Sequence, residues 1–582
     1  MRIQLQVFLV MAVVAGLFIQ SPGPVAAQSG AVFAAPAGGD AVTVWNAHAG
    51  VAATNACIAP LDDPFHESRM YAMMHLAIHD ALNAIDRRFQ PYVLDKPAEP
   101  GASPDAAVTA AARDVLVPLL AQLPRELPFI IQSCIDASIA SVETAYTAAL
   151  AALPDGPAKT QGIAVGQAAA AAILARRAAD GAVGPFLNSN CPQESPPGKY
   201  QCTPGFRFIA FEVWGKVNLF VLQDSAQFRP GPPYALNDKN YTADFNEVKS
   251  LGGDGLATPS ARTADQTEIA YFWWESSPLK WNRIARAVSV NTGFTPWQNA
   301  RRFGLLNMAL ADGYVAMSAT KNHYNYWRPV TAIRTGETDG NSDTVGDPAW
   351  TPLRPTPPNQ DYASGHAIQG GAGAEVLKQV FGTDGISFQD CGVKLPTGST
   401  CADQSPVLRS YTSFSQAAAE NAYSRILIGF HFRKSIEVGT QYGRKIGARR
   451  HQLSPACTLS CRRSHRAGGG GAVLANEYLR PAHAEFTVLW RPFYTLANVD
   501  LFYGGHHVLH ALESMVGCGH HGPTDGVRRA KLAPNCPCRC RARLECHCRK
   551  HDLDSVPAPS RSRGLSRHGR RPGRSIRRGP SN

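Results

Sequence analysis

The sequence has very few stretches in which apolar and polar residues alternate, the pattern that predicts half-buried β-strands. Between residues 67 and 447 the apolar residues instead recur three and four positions apart, and Ala-rich segments such as "TQGIAVGQAAAAAILARRAAD" favour helix. Residues 184–260 are rich in Pro, Gly, Asn and Asp, so we expect them to be mostly loop. The sequence predicts an all-α protein built from helix bundles, followed by an irregular basic tail.

Three further features are missing, and each excludes a class of protein. After the first 27 residues no segment approaches 18 uninterrupted apolar residues, so we expect no stable membrane span. Residues 1–447 carry 34 Lys and Arg against 37 Asp and Glu, which gives no electrostatic reason to expect a nucleic-acid partner. A C-x-x-C-H motif for haem attachment is also absent.

The first 27 residues have the features of an export signal. "MRIQLQVFLVMAVVAGLFIQ" joins an early Arg to an apolar run, and "PVAAQS" supplies small residues for cleavage after Ala27. We therefore expect a signal peptide at 1–27 and a secreted or periplasmic mature protein, with an uncleaved membrane anchor as the alternative. Six cysteines precede residue 448, enough for three disulfides in an exported protein. Sequence does not fix their connectivity; the close pairs are Cys191/Cys202 and Cys391/Cys401, which would leave Cys57 with Cys134, and free buried thiols are the alternative.

Residues 448–582 have a different composition, with 23 Lys and Arg against 8 Asp and Glu, and with eight of the 14 cysteines. Three interpretations are open. The segment is a disordered basic tail, or the reading frame shifts near residue 448, or the clustered cysteines bind a metal; these are Cys536, Cys538, Cys540, Cys546 and Cys548. Their spacing is not C-x-x-C, and exported thiols tend to oxidise.

The stretch "KNHYNYWRP" contains two cations that could share one face of a helix. Lys321 and Arg328 are seven residues apart, which is two helical turns, so in one helix they lie within about 20° of each other. Pro329 would end or kink that helix directly after Arg328. Two stacked cations attract an anion, although a solvated face with a chance pair gives the same pattern.

The stretch "DYASGH" precedes an apolar helical run, so Ser364 and Gly365 should lie at a helix N-terminus. Backbone N–H groups and the positive end of the helix dipole are exposed there, and a glycine allows an anion to approach closely. His366 adds a titratable group. In isolation such a stretch is usually a helix cap.

The stretch "SRILIGFHF" adds a third cation and a second histidine. Arg425 and His431 are six apart, so one continuous helix would separate them by about 240°. Gly429 offers a place where the helix can break, which would let His431 turn back. Taken together, the three stretches predict a site for a tetrahedral oxyanion with two or three negative charges. One histidine would bond to its central atom and the other would move protons.

These stretches resemble the signature of the vanadium haloperoxidase and type-2 phosphatidic acid phosphatase superfamily, K-x6-R-P, then P-S-G-H, then S-R-x5-H-x3-D. In this chain the first part of the signature is residues Lys321 to Pro329, the second is Ala363 to His366, and the third begins at Ser424-Arg425 and includes His431. Ala363 replaces a proline. Ser435 stands where the signature has aspartate, so the usual carboxylate partner of a site histidine is missing or supplied elsewhere.

The resemblance covers roughly residues 40–447, because "ESRMYAMMHLAIHDALNAIDRRFQPY" is similar to the helical region that precedes the signature in exported bacterial haloperoxidases. It implies an N-terminal helical domain at 28–235, a catalytic helical domain at 236–447 and a vanadate cofactor, for which phosphate can compete. His431 would bond to vanadium, His366 would act as acid and base, and Lys321 would polarise bound peroxide. The vanadate oxygens would be held by Lys321, Arg328, Ser364, Gly365 and Arg425.

The implied substrates are hydrogen peroxide and halide, with hypohalous acid as the product; small organic substrates and a homo-oligomer are compatible with the sequence. Two alternatives remain. A phosphomonoesterase would use the same site through a phosphohistidine on His431, and a non-catalytic protein would only bind an oxyanion. A separate pair, His75 and His79, has the i, i+4 spacing of metal ligands, but Leu76 stands where H-E-x-x-H needs Glu, so we interpret the pair as packing residues.

Overall fold

The computed structural model describes residues 39–59, 63–127, 130–289, 292–392 and 407–449. The predicted export signal, and the basic tail from residue 450 onward, lie outside these residues. The α-helices of the described part are α1 (Ala41–Asn55), α2 (Pro64–Ile85), α3 (Pro104–Glu126), α4 (Gln132–Ala151), α5 (Pro157–Arg177), α6 (Lys239–Leu251), α7 (Ala264–Phe272), α8 (Ser277–Ala287), α9 (Pro296–Tyr324), α10 (Pro329–Arg334), α11 (Gly365–Phe381), α12 (Phe414–Leu427) and α13 (Arg433–Gly447).

The described strands are short and form two antiparallel pairs. β1 (Leu187–Asn188) pairs with β2 (Ile209–Ala210), and β3 (Phe388–Gly392) pairs with β4 (Val407–Tyr411). Two single-turn 3₁₀ helices complete the described elements, at Glu212–Lys216 and Gly336–Thr338. The all-α prediction is therefore confirmed. Helix α6 lies inside the segment expected to be mostly loop, where Asp238 caps it and it buries an apolar face.

The helices pack in two groups that share α9. In the first group α2 packs against α3 and α5, while α4 packs against α1 and α3. In the second group α11 packs against α12 and α13. Helix α9 contacts both α2 and α11, so it connects the two groups and their hydrophobic cores are continuous.

Helix α9 owes its sharp start and end to local sequence. Thr295 and Gln298 form a reciprocal capping box, and Pro296 occupies the first helical position, where its missing N–H costs nothing. At the other end Asn325 adopts a left-handed conformation with φ of 49°, which stops the helix after Tyr324. Lys321 therefore lies in the last turn of a long, well-anchored helix.

Helices α11 and α13 approach each other closely because glycines line their contact. A Cβ atom on Gly371 would lie 2.2 Å from the Thr440 carbonyl oxygen, and one on Gly443 would lie 1.9 Å from the Ile368 carbonyl oxygen. No side chain larger than hydrogen fits at either position. This close packing brings the first turn of α13 beside the first turn of α11, where Ser364 N–H donates to the Ser435 carbonyl oxygen at 3.2 Å.

Disulfides join Cys57 to Cys134 and Cys191 to Cys202, which are pairings expected from the sequence. Cys391 is also disulfide-bonded, and its expected partner Cys401 lies outside the described residues. One described helical stretch, Pro104–Arg125, has the length and hydropathy of a membrane span. Its most apolar window is 67% buried within the protein, so it packs as a core helix.

Candidate active site

The first signature stretch does not form one helix, contrary to the prediction. Helix α9 ends at Tyr324, and Pro329 begins α10 rather than ending a longer helix, so Arg328 is the residue immediately before a new helix. The cause is the left-handed Asn325, together with the preference of the residue before proline for extended backbone. Lys321 and Arg328 are brought together by a third segment instead of by a shared helical face.

That third segment is residues 359–361, whose backbone carbonyls bind both cations. Lys321 Nζ donates to the carbonyl oxygens of Gln360 and Asp361, the latter at 3.2 Å. Arg328 Nε donates to the Asn359 carbonyl oxygen at 2.6 Å, and its Nη2 donates to Asn359 Oδ1 at 2.7 Å. The loop that precedes "ASGH" therefore holds the two cations of the first stretch.

Ser364 and Gly365 lie at the N-terminus of α11, as predicted. Ser364 is the N-cap, but its buried hydroxyl makes no hydrogen bond to any described residue. Gly365 is the first helical residue, so its N–H has no acceptor within the helix. The glycine also has a packing role, because a Cβ there would lie 2.5 Å from Met317 Sδ. A free hydroxyl and free N–H groups at a helix N-terminus are suitable donors for an anion.

His366 and Arg425 are both held by the connection between α7 and α8. His366 Nε2 lies 3.1 Å from the Glu275 carbonyl oxygen, and Arg425 Nη2 donates to the Trp273 carbonyl oxygen at 2.8 Å. A carbonyl only accepts, so Nε2 of His366 carries the proton and Nδ1 is the acceptor of the neutral ring. Burial and the nearby Arg425 charge lower the pKa of His366 well below its ordinary value.

His431 turns back toward the site after α12, as Gly429 predicted. Helix α12 ends at Leu427, Gly429 has φ of 84°, and the His431 N–H then donates to the Arg425 carbonyl oxygen at 3.2 Å. The ring is 5% exposed, and Arg328 Nη1 lies 3.0 Å from its Nε2. The guanidinium can only donate, so Nε2 carries the lone pair in this arrangement.

Asp361 is the site residue that the sequence reasoning missed. Its Oδ1 lies 2.8 Å from His431 Nδ1, and its backbone carbonyl accepts from Ser435 Oγ at 3.1 Å. Ser435 itself lies 3.3 Å from His431 Nδ1. The expected carboxylate partner is therefore present, but it comes from the "DYASGH" stretch. The absence of aspartate at position 435 was the signal in the sequence, because it meant that the carboxylate was either missing or supplied elsewhere.

The pocket has an excess of buried positive charge. Lys321, Arg328 and Arg425 are each at most 3% exposed. Burial lowers the pKa of all three, the charge of Arg328 lowers the other two further, and the pKa of Arg425 falls to about 9. Among the described residues, the carboxylate that bears on Lys321 and Arg328 is Asp361, whose pKa burial raises to about 7. A bound oxyanion would balance the remaining charge.

The histidine pair on α2 is not part of the site. His75 is fully buried, stacks on Phe303 with ring centroids 4.9 Å apart, and has an Asn46 amide nitrogen 2.7 Å from Nε2. Burial lowers its pKa to about 3. His79 is fully buried and lies 3.0 Å from the Gln90 carbonyl oxygen. These contacts agree with the interpretation of the pair as packing histidines.

Comparison with known proteins finds matches to the helix bundle that carries these residues. Residues 301–457 match the family described as the VCPO second helical-bundle domain. The vanadium chloroperoxidase of Curvularia inaequalis is 25% identical over 285 residues, which are 39% of this chain and 46% of that protein. This chain thus matches about half the length of that relative.

Solved structures show the same fold. A bacterial vanadium-dependent iodoperoxidase superposes with a TM-score of 0.56 at 24% identity, covering 71% of this chain and 97% of that one. A bacterial vanadium-dependent chloroperoxidase in its apo form superposes with a TM-score of 0.52 at 15% identity, covering 67% and 93%. The chain therefore shares the helical-bundle fold of these solved structures, and its residues 301–457 carry the match to the VCPO second helical-bundle domain.

Proposed function

We propose that this protein is a vanadium-dependent haloperoxidase, which oxidises halide with hydrogen peroxide to hypohalous acid. The observation that carries the proposal is the pocket itself. Three buried cations act electrostatically on His431, one of them contacts its Nε2 lone pair, and the buried Ser364 hydroxyl has no hydrogen-bond partner among the described residues. This donor set suits a tetrahedral dianion that can also accept a bond from a histidine.

The residues present fit vanadate. Lys321, Arg328 and Arg425 would balance its charge, and the Ser364 hydroxyl with the first N–H groups of α11 would donate to its oxygens. His431 Nε2 would be the ligand atom, and the Arg328 Nη1 contact that now occupies its lone pair would turn to the anion. Bound vanadate would supply the chemistry that activates hydrogen peroxide toward halide, and the vanadium would keep its oxidation state.

His366 is placed to move protons beside that anion. Its Nε2–H is committed to the Glu275 carbonyl oxygen, which leaves Nδ1 to accept a proton from an incoming hydroxyl group. Its lowered pKa keeps the ring neutral, and therefore basic at Nδ1, in the anion-free protein. Negative charge arriving in the pocket would raise that pKa and favour the protonated, donating form.

The same pocket could bind phosphate, so the choice of haloperoxidase over phosphatase rests on similarity. The curated relative is a chloroperoxidase, and the two solved relatives are an iodoperoxidase and a chloroperoxidase. The match to the iodoperoxidase covers 71% of this chain, so the likeness extends beyond residues 301–457 into the helices that precede α9.

Two assays on the purified full chain separate the possibilities. We expect peroxide-dependent halogenation of a phenolic dye after incubation with orthovanadate, tested with iodide, bromide and chloride in turn. We expect weak hydrolysis of an aryl phosphate in the absence of vanadate. Robust phosphate release without halogenation at any pH would replace this proposal by the phosphatase. Vanadate binding with neither activity would favour an oxyanion-binding protein.

The role of His431 has its own test. We expect His431→Ala to abolish retention of vanadate through gel filtration. His48→Ala provides a matched control, because His48 is a partly exposed histidine on α1, where its ring packs edge-on against Trp45. Retention by His431→Ala equal to that of the control would rule out His431 as the ligand.

We also propose that the protein is exported. Its two disulfides within the described residues are typical of oxidising compartments. The expected mature N-terminus is Gln28, which N-terminal sequencing of secreted protein would identify. Protein that stays in the cytoplasm of a secretion-competent host with an intact Met1 would contradict export.

A further inference from the structure

The most informative departure of this chain from its superfamily signature is the serine at position 435. The signature places aspartate four residues after the histidine of its third stretch, which is His431 in this chain. Here that position carries Ser435, while the carboxylate that contacts His431 Nδ1 comes from Asp361, 70 residues earlier. Both partners are buried, with Asp361 fully enclosed and His431 5% exposed.

Asp361 is also fixed in place by its own backbone. Its N–H donates to the Tyr326 carbonyl oxygen at 3.0 Å, and its carbonyl oxygen accepts from Ser435 Oγ at 3.1 Å and from Lys321 Nζ at 3.2 Å. Residues from all three signature stretches, or adjoining them, therefore meet at this one residue. Such multiple anchoring is what a group needs if it is to orient another side chain.

The histidine contact sets the tautomer. A carboxylate oxygen at 2.8 Å from Nδ1 accepts the Nδ1 proton, so the lone pair of the neutral ring is on Nε2. The Arg328 guanidinium at 3.0 Å from Nε2 agrees with this assignment, because it can only donate. Nε2 is the nitrogen that faces the Arg328 guanidinium.

We propose that Asp361 is the positioning residue for His431: it holds the ring as the Nδ1–H tautomer and presents the Nε2 lone pair to the anion. Ser435 supports it by holding the Asp361 backbone. In this chain the carboxylate therefore comes from the loop before α11, whereas the signature has it on the segment after the histidine. Its role toward the histidine is the same. The identity of the anion rests on the proposed function; the tautomer and its cause do not.

A simpler role for Asp361 is that of a counter-ion to Lys321 and Arg328, and the two roles predict opposite effects. Removing a counter-ion leaves the cations less neutralised, so every anion should bind as well or better. Removing a positioning residue should weaken only an anion that takes a bond from His431 Nε2. Vanadate can take such a bond, whereas sulfate has the same shape but binds through charge and hydrogen bonds alone.

The experiment compares orthovanadate and sulfate affinities of the full chain by calorimetry. For Asp361→Ala we expect vanadate affinity to fall about 10- to 100-fold, the usual effect of losing a carboxylate behind a ligating histidine, and sulfate affinity to hold or rise. Ser435→Ala, the control that leaves the carboxylate in place, should lose much less. Unchanged vanadate affinity in Asp361→Ala, or an equal loss for both anions, would overturn the proposal.

A double substitution tests the relocation directly. Asp361→Ser combined with Ser435→Asp returns the carboxylate to the signature position, where the wild-type Ser435 Oγ lies 3.3 Å from His431 Nδ1. We expect the pair to recover most of the vanadate affinity that Asp361→Ser loses alone. A double variant that is folded by circular dichroism yet no better than the single variant would count against the proposal.

The tautomer of His431 can be measured in the wild-type protein without any anion, and a substitution is needed only to assign its signal. In wild-type protein labelled with ¹⁵N-histidine, long-range ¹H–¹⁵N NMR should show His431 with a protonated Nδ1; the conservative His431→Gln variant assigns the signal. A protonated Nε2 in the anion-free wild type would overturn the proposal. Failure of wild-type protein to bind vanadate at all, with the Nδ1–H tautomer present, would instead overturn the proposed function.

Discussion

Arg328 and Asn359 are joined by two hydrogen bonds, from Nε to the carbonyl oxygen at 2.6 Å and from Nη2 to Oδ1 at 2.7 Å. The remaining nitrogen, Nη1, donates to the Phe430 carbonyl oxygen at 3.0 Å and lies 3.0 Å from His431 Nε2. The planar fork of the guanidinium is thus used on two sides, toward the loop before α11 and toward the turn after α12. A single ammonium group has no such geometry.

Arg328→Lys should therefore weaken anion binding even though the charge is kept. Losing charge-assisted hydrogen bonds costs roughly 1.5–3 kcal/mol each, so we expect sulfate affinity to fall about tenfold or more. Arg334→Lys is the matched control, because Arg334 at the other end of α10 donates from Nε to the Trp350 carbonyl oxygen at 2.8 Å, its one hydrogen bond to the described residues. Calorimetry measures both, and equal affinities would show that charge alone is used at position 328.

Ser364 and Ser413 are both helix N-caps, but only one acts as a cap with its side chain. Ser413 Oγ accepts from the Gln416 N–H at 3.1 Å, whereas the Ser364 hydroxyl is buried and binds no described residue. Ser413→Ala should cost about 1 kcal/mol of unfolding free energy and leave sulfate affinity unchanged. Ser364→Ala should leave stability nearly unchanged and weaken sulfate binding several-fold. The reverse pattern, measured by urea unfolding and calorimetry, would mean that Ser364 is an ordinary cap.

Much of the fold and most of the site could be predicted from local sequence. Helix periodicity, the N-terminus of α11 before Gly365 and the break at Gly429 are each set by a few neighbouring residues. The path between Lys321 and Arg328 could not be predicted from spacing, because seven residues fit two helical turns as well as they fit a break. The left-handed Asn325 decided between these possibilities, and Asn is only one of the residues that can adopt that conformation.

The loop contributions were harder to predict for a different reason. Residues 359–361 hold the cations mainly through backbone carbonyls, and every residue has one. The same is true of Trp273 and Glu275, which hold Arg425 and His366. Two side chains of this loop also contact the site, those of Asn359 and Asp361. The sequence could have indicated only the Asp361 carboxylate, through the missing aspartate at position 435.

Glu67 gives a prediction about stability. This residue of α2 is fully buried, and desolvation raises its pKa from 4.5 to about 8. Between pH 4.5 and 8 the folded protein therefore keeps a proton on Glu67 that the unfolded chain releases. Because deprotonation then favours the unfolded chain, the free energy of unfolding falls as pH rises from 4.5 toward 8. At about 1.4 kcal/mol per pKa unit the loss amounts to several kcal/mol. Glu67→Gln, which cannot ionise, should lose much less stability between pH 5 and 8.5.

Urea unfolding at those two pH values checks the Glu67 prediction. Glu99→Gln is the control, since Glu99 is exposed and its substitution should leave the pH dependence of wild type intact. Wild type and Glu67→Gln with parallel pH dependence would show that the Glu67 carboxyl is ionised in the folded protein.

The pocket should also bind anions more weakly as pH rises, for two separable reasons. Asp361, with a pKa raised to about 7 by burial, gains negative charge as pH passes 7, and Arg425, with a pKa lowered to about 9, loses positive charge as pH passes 9. Both changes oppose a dianion, so sulfate affinity should fall in two steps between pH 6 and 10. Sulfate keeps a charge of −2 throughout, so the ligand adds no titration.

Asp361→Asn should remove the step near pH 7 and keep the one near pH 9, whereas Ser435→Ala should keep both. Calorimetric titrations at half-unit pH intervals resolve the steps, and a single step that survives Asp361→Asn unchanged would assign the titration to other groups.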